Sequence, residues 1–140
     1  MNNPIPYRIL VVDDYEPWRR FVAASLQKRP VIQVVGEAEN GLAAVQKATE
    51  LKPDLVLLDI HLPDIDGIEV STRIGQAIAG TKILFATQSN DPDLAKAALN
   101  DGAQGFLLKV DAASELLPAV KAVLRGEQFL SRSVKPKSLS

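Results

Sequence analysis

Along the chain, short runs of aliphatic residues alternate with longer segments in which apolar positions recur three and four apart. RILVV (Arg8 to Val12), VIQVV (Val31 to Val35), DLVLL (Asp54 to Leu58), KILFA (Lys82 to Ala86) and GFLLK (Gly105 to Lys109) are the strand candidates. Most are continuous rather than alternating, as expected of parallel strands covered on both faces. The segments between them read as helices. Phe21, Val22 and Leu26 share one face of the first, and Pro17 suits its opening turn. Leu116, Leu117, Val120, Val123 and Leu124 share one face of the last. Asn40 before Gly41 offers an N-cap, while Gly80, Gly102 and Gly126 stand where helices should stop. Pro118 predicts that the last helix starts later or less regularly than its apolar stripe.

Strands alternating with helices predict an α/β domain with a mostly parallel sheet. Right-handed crossovers restrict this to a doubly wound five-stranded parallel sheet, a flavodoxin-like (βα)5 arrangement. After Gly126 the sequence EQFLSRSVKPKSLS turns to Ser, Lys and Pro and reads as a linker or frayed end. The expected boundaries are a domain over 1–127 and a linker or tail over 128–140.

Composition narrows the chemistry. The 140 residues carry 16 basic and 17 acidic side chains, so no broad basic field is available for binding nucleic acid. The lack of Cys removes disulfides and thiolate metal sites, and the single His61 excludes a multi-histidine cage or a Ser-His-Asp triad. No apolar run approaches the length of a membrane span, and the first residues lack a signal-peptide core. A cytoplasmic location, with no membrane partner, is the expectation.

In a doubly wound sheet, ligands bind beyond the carboxyl ends of the strands. Asp13 and Asp14 follow the first strand candidate, Asp59 the third and Thr87 the fourth, and Lys109 ends the fifth. Three converging carboxylates repel one another. At an effective dielectric of about 20, two unit charges about 4 Å apart cost roughly 4 kcal/mol. Such a cluster must raise a pKa, gain a cation, or both. All-oxygen donors favour a hard cation, and Mg²⁺ retaining some of its waters fits best. A carboxylate beside Mg²⁺, a lysine and a hydroxyl is suited to accepting a phosphoryl group. One Asp after a strand is ordinarily turn chemistry or a helix cap, so the weight lies on the joint pattern.

Taken together VVDD, LLDIHLPDIDG, the Thr87 after KILFA, and GFLLK resemble the receiver domain of bacterial two-component response regulators. The resemblance runs from about Arg8 to about Arg125. VVGEAENGLAAV, GAQGFLLK and LLPAVKAVLRGEQFLS are most similar to the NarL/FixJ (LuxR-type) subfamily, whose members usually add a helix-turn-helix domain. The resemblance implies that Asp59 is the phosphoacceptor and that Asp13 and Asp14 form the acidic pair holding Mg²⁺ with Asp59. The backbone carbonyl of His61 would complete the metal site. Thr87 would be the switch hydroxyl, Lys109 the charge contact to the phosphoryl group, and Phe106 the switch aromatic. Implied partners are a sensor histidine kinase or phosphotransfer protein, and a second copy of the chain on activation. Output is expected through the surface of the fourth helix, fifth strand and fifth helix. Such a domain promotes only its own phosphorylation and dephosphorylation and is not a turnover enzyme.

Three positions depart from the common pattern. Phe106 stands in place of Tyr, Gln88 follows Thr87 in place of a small residue, and Val110 follows Lys109 in place of Pro. No helix-turn-helix lies within the 140 residues. Either DNA binding and transcriptional control belong to a missing effector domain, or the chain is a stand-alone or degenerate receiver acting as an interaction module. An aspartate-based phosphohydrolase would need a D-x-D nucleophile on the first strand. A flavin carrier would need a phosphate loop where DDYEPWRR stands, and that segment repels phosphate.

Overall fold

The computed structural model describes residues 5–100 and 102–134. Its elements are β1 (Tyr7–Val12), α1 (Glu16–Leu26), β2 (Ile32–Ala38), α2 (Gly41–Leu51), β3 (Leu55–Leu58) and α3 (Gly67–Ala77). There follow β4 (Lys82–Thr87), α4 (Pro92–Asn100), β5 (Gly105–Leu108), a single 3-10 turn over Lys109–Asp111, α5 (Ala112–Leu124) and β6 (Phe129–Leu130). All neighbouring strands pair in parallel, in the order β2-β1-β3-β4-β5-β6.

The continuous apolar runs are explained by two cores, one on each face of the sheet. Leu10, Val12, Val56, Leu58, Phe85 and Phe106 pack with buried residues of α2, α3 and α4. Their neighbours Ile9, Val11, Leu55, Leu57, Leu84 and Leu107 pack against α1 and α5. Alternation of side chains across the pleat sends successive residues to opposite cores, so the central positions of β1, β3, β4 and β5 are apolar on both faces. Each fully buried Leu, Ile or Phe contributes about 1.5–3 kcal/mol of transfer free energy before entropy is counted.

Several boundaries differ from the sequence expectation, each for a physical reason. Five strands are expected and six are present, because Phe129–Leu130 adds to the free edge of β5. The second strand runs on to Ala38, past a bulge where Ile9 pairs with Val34 but Leu10 pairs with Gly36. Pro118 does not delay α5, which begins at Ala112. Pro118 is exposed, so the amide it lacks is missing on the wet side, where water can serve the freed carbonyl. Asn40 caps α2 as expected, its side chain accepting from the Ala43 amide. Gly80, Gly102 and Gly126 all take positive φ at or just beyond helix ends.

Candidate phosphoacceptor and metal site

Parallel pairing in register brings the carboxyl ends of β1, β3, β4 and β5 to one edge. Asp13 extends β1 by one residue, its amide donating to the Ala38 carbonyl at 3.0 Å. Asp59 extends β3 in the same way, its amide donating to the Val12 carbonyl at 3.0 Å. Thr87 is the last residue of β4, and Lys109 opens the 3-10 turn after β5. Asp13, Asp14, Asp59, Thr87 and Lys109 therefore line one open cleft of about 320 Å³, with Tyr15, His61 and Gln88 at its walls.

Asp13 is fully buried and Asp59 nearly so, while Asp14 is exposed. One carboxylate oxygen from each of the three lies within 4.8 Å of the others. Asp13 Oδ1 accepts from the Tyr15 amide at 2.9 Å. Asp13 Oδ2 is buried and receives no hydrogen bond of ordinary geometry; its partner is the Lys109 ammonium, an ion pair at 2.6 Å. The same ammonium stands 3.6 Å from Asp59 Oδ2. Asp59 Oδ1 accepts a long contact from the His61 amide, at 3.4 Å. Three carboxylates against one ammonium leave 3 − 1 = 2 formal negative charges uncompensated if all are ionised. Burial raises the pKa of Asp59, Lys109 lowers it, and the neighbouring Asp13 charge raises it again, with a net upward shift. The net negative charge suits a cation, and the donors are hard oxygens.

The remaining expected residues are placed as follows. Thr87 is fully buried, with its Oγ1 accepting a long contact from the Ser89 amide at 3.4 Å. His61 is exposed and lines the cleft. Phe106 does not line it: the ring is fully buried in the core facing α2, α3 and α4, beside Phe85 in the sheet register. Gln88 is exposed at the cleft wall.

Sequence reading passed over three residues that shape this edge. Arg19 Nη1 donates to the Asp13 carbonyl at 2.8 Å, and its Nε pairs with Glu37 at 2.9 Å. The Trp18 ring lies under the Lys109 ammonium, 5.1 Å from centroid to Nζ. Gly67 brings α3 against the backbone of Asp59: a Cβ there would sit 2.2 Å from the Asp59 carbonyl oxygen. The available signals were the DG pair after the strand and an aromatic one helical turn beyond Asp14.

Comparison with known proteins identifies the family. The family model for the response regulator receiver domain matches residues 9–121. The transcriptional regulatory protein LiaR of Bacillus subtilis is 38% identical over 133 residues, which cover 95% of this chain and 63% of LiaR. The response regulator protein VraR of Staphylococcus aureus is 35% identical, over 93% of this chain and 62% of VraR. The chain thus spans about three fifths of the length of these relatives. Among solved structures, a LuxR-family two-component response regulator from Aurantimonas superposes with a TM-score of 0.88 at 32% identity, covering 92% of each chain. The receiver domain of a NarL response regulator from Mycobacterium tuberculosis gives a TM-score of 0.84 at 33% identity, over 89% of this chain and all of that one. The chain belongs to the response regulator receiver domain family, in the NarL-type branch.

Proposed function

We propose that this chain is a switch operated by phosphorylation of Asp59, and that its output is control of transcription. Members of the family act mainly as signalling modules. The observation that carries the reading is the convergence of Asp13, Asp14, Asp59, Thr87 and Lys109 on one cleft. Asp13, Asp14 and Asp59, with the His61 backbone carbonyl, would hold Mg²⁺. Bound there, the ion would supply positive charge against the carboxylates and the oxygens of an incoming phosphoryl group.

The chain's own groups do the rest. Asp59 presents a carboxylate oxygen to the cleft for in-line attack on a phosphohistidine or small-molecule phosphodonor. Its position after a rigid strand fixes the approach direction, which substitutes for orientation entropy. Lys109 moves its charge from Asp13 toward the new phosphoryl oxygens, and the Thr87 hydroxyl turns to donate to one of them. These contacts form only with the phosphoryl group present, so they bias a two-state equilibrium toward one conformer. Water attack on the acyl phosphate resets the switch, so the domain modifies only itself. A sensor histidine kinase or phosphotransfer protein is the proposed donor, and a second copy of the chain the proposed partner on activation. The likeness to LiaR, a transcriptional regulatory protein, supports a transcriptional output.

The test is incubation with acetyl phosphate and Mg²⁺, followed by intact-mass measurement. Wild type should gain one phosphoryl mass, and Asp59→Asn should gain none. The reading is overturned by an unmodified wild type under conditions that modify a control receiver.

A further inference from the structure

We infer that Trp18 is a positioning residue for Lys109, its ring face holding the ammonium at the cleft. The inference takes the role of Lys109 from the function proposed above. Trp18 lies on the first turn of α1, where Pro17 and the Tyr15 carbonyl bring it back toward the end of β1. It is 8% exposed, and the Lys109 side chain is 12% exposed, so the contact is largely withdrawn from water. The 5.1 Å separation from Nζ to the ring centroid is inside the range at which an ammonium is attracted by the quadrupole of an indole. Phe21 braces the ring from the same helix, with centroids 5.5 Å apart and planes tilted by 34°.

Among the described residues, the Lys109 ammonium lies close to Asp13, Asp59 and Trp18. Two are the carboxylates proposed to bind the cation, so their attraction for the ammonium falls as soon as their charge is shared. The ring carries no charge to share. Its attraction persists whatever the carboxylates bind, and it keeps Nζ over the cleft when Asp13 lets go. A four-carbon lysine stem without that floor has many rotamers leading to solvent. Leucine at position 18 would retain apolar bulk in the core between α1 and α5 but offer no π face, whereas phenylalanine keeps a smaller one.

The experiment is competitive acetylation of lysines in the intact folded chain, read by peptide mass spectrometry, for wild type, Trp18→Leu and Trp18→Phe. Lys47 and Lys82 serve as internal references. In Trp18→Leu the Lys109 labelling rate should rise about three- to tenfold while the reference lysines stay constant, with Trp18→Phe close to wild type. Unchanged Lys109 labelling in Trp18→Leu, a rise shared by all three lysines, or equal rises in the Leu and Phe variants would each show a merely structural tryptophan and overturn the inference. Phosphorylation by acetyl phosphate, measured on separate unlabelled aliquots, should slow by a similar factor in Trp18→Leu. If wild type is not phosphorylated but labelling still rises selectively, the functional reading fails while the positioning of Lys109 by Trp18 stands.

Discussion

Asp64 accepts the backbone amides of Gly41 and Leu42 at 2.7 and 2.9 Å, capping a helix that begins 23 residues earlier. Asp66, two residues on, caps its own helix α3 through the Glu69 amide at 2.9 Å. The Leu42 amide is the largest influence on Asp64 and Gly41 adds to it, lowering its pKa from 3.8 to about 2. Because the ionised form is the one held in the native state, this contribution to stability is present above 3.8 and lost as pH falls through about 2. Asp64→Asn keeps one of the two acceptor oxygens, replaces the other with an amide that cannot accept, and loses the charge. It should melt below wild type near neutral pH, with the difference closing in acid. Thermal melts across that range check this, and a gap independent of pH would place the effect in shape instead. From the sequence Asp64 reads as a turn residue. Its partners become visible only when α2 and α3 lie side by side, where Gly41 is needed because a Cβ would stand 2.5 Å from Ile65 Cγ1. Asp59, by contrast, was legible because its partners follow other strands at a regular place.

At the scale of elements, the segment after α5 departs most from expectation. Its Ser-rich composition conceals a two-residue strand and a set of specific bonds. The fully buried Ser131 Oγ accepts from the Leu108 amide at 2.8 Å and donates to Glu115 at 2.7 Å, while its own amide donates to the Phe106 carbonyl at 2.9 Å. Val134 is buried against the core facing α2 to α4. Ser131→Ala leaves the Leu108 amide without an acceptor, which should cost about 1–3 kcal/mol. Urea unfolding should show a lower midpoint with an unchanged slope. Strands β1, β3, β4 and β5 were legible because each carries a buried aliphatic run, whereas the half-exposed β2 continues past its expected end to Ala38. A strand of two residues at a sheet edge has no such signal, and its stability comes from side-chain bonds to Glu115 and Leu108 that no local pattern encodes. Pro118 misled for the opposite reason: its local penalty is real but falls on the exposed side of α5.

For the whole molecule, the 3-10 turn joins the cleft to this terminal segment. Lys109, its first residue, pairs with Asp13 and Asp59 at the cleft. Asp111, its last residue, accepts from Ser133 Oγ at 2.8 Å and from the Ser133 amide at 3.3 Å, and lies 3.9 Å from the Arg132 guanidinium. Glu115, one turn into α5, accepts from the Arg132 amide at 3.3 Å. If the backbone of this three-residue turn follows Lys109 toward a phosphoryl group on Asp59, Asp111 is drawn away from Ser133. The segment Ser131 to Val134 would then be loosened by an event at the cleft. Two packed arrangements differing by a few kcal/mol are sufficient for such coupling. Hydrogen exchange should therefore quicken at Ser131 to Val134 when acetyl phosphate and Mg²⁺ are added, with β1 and β2 unchanged. Asp111→Ala should quicken exchange at Ser133 without any phosphodonor and remove most of the further response. Phosphorylation that leaves exchange at 131–134 unaltered would show that the turn isolates the two ends.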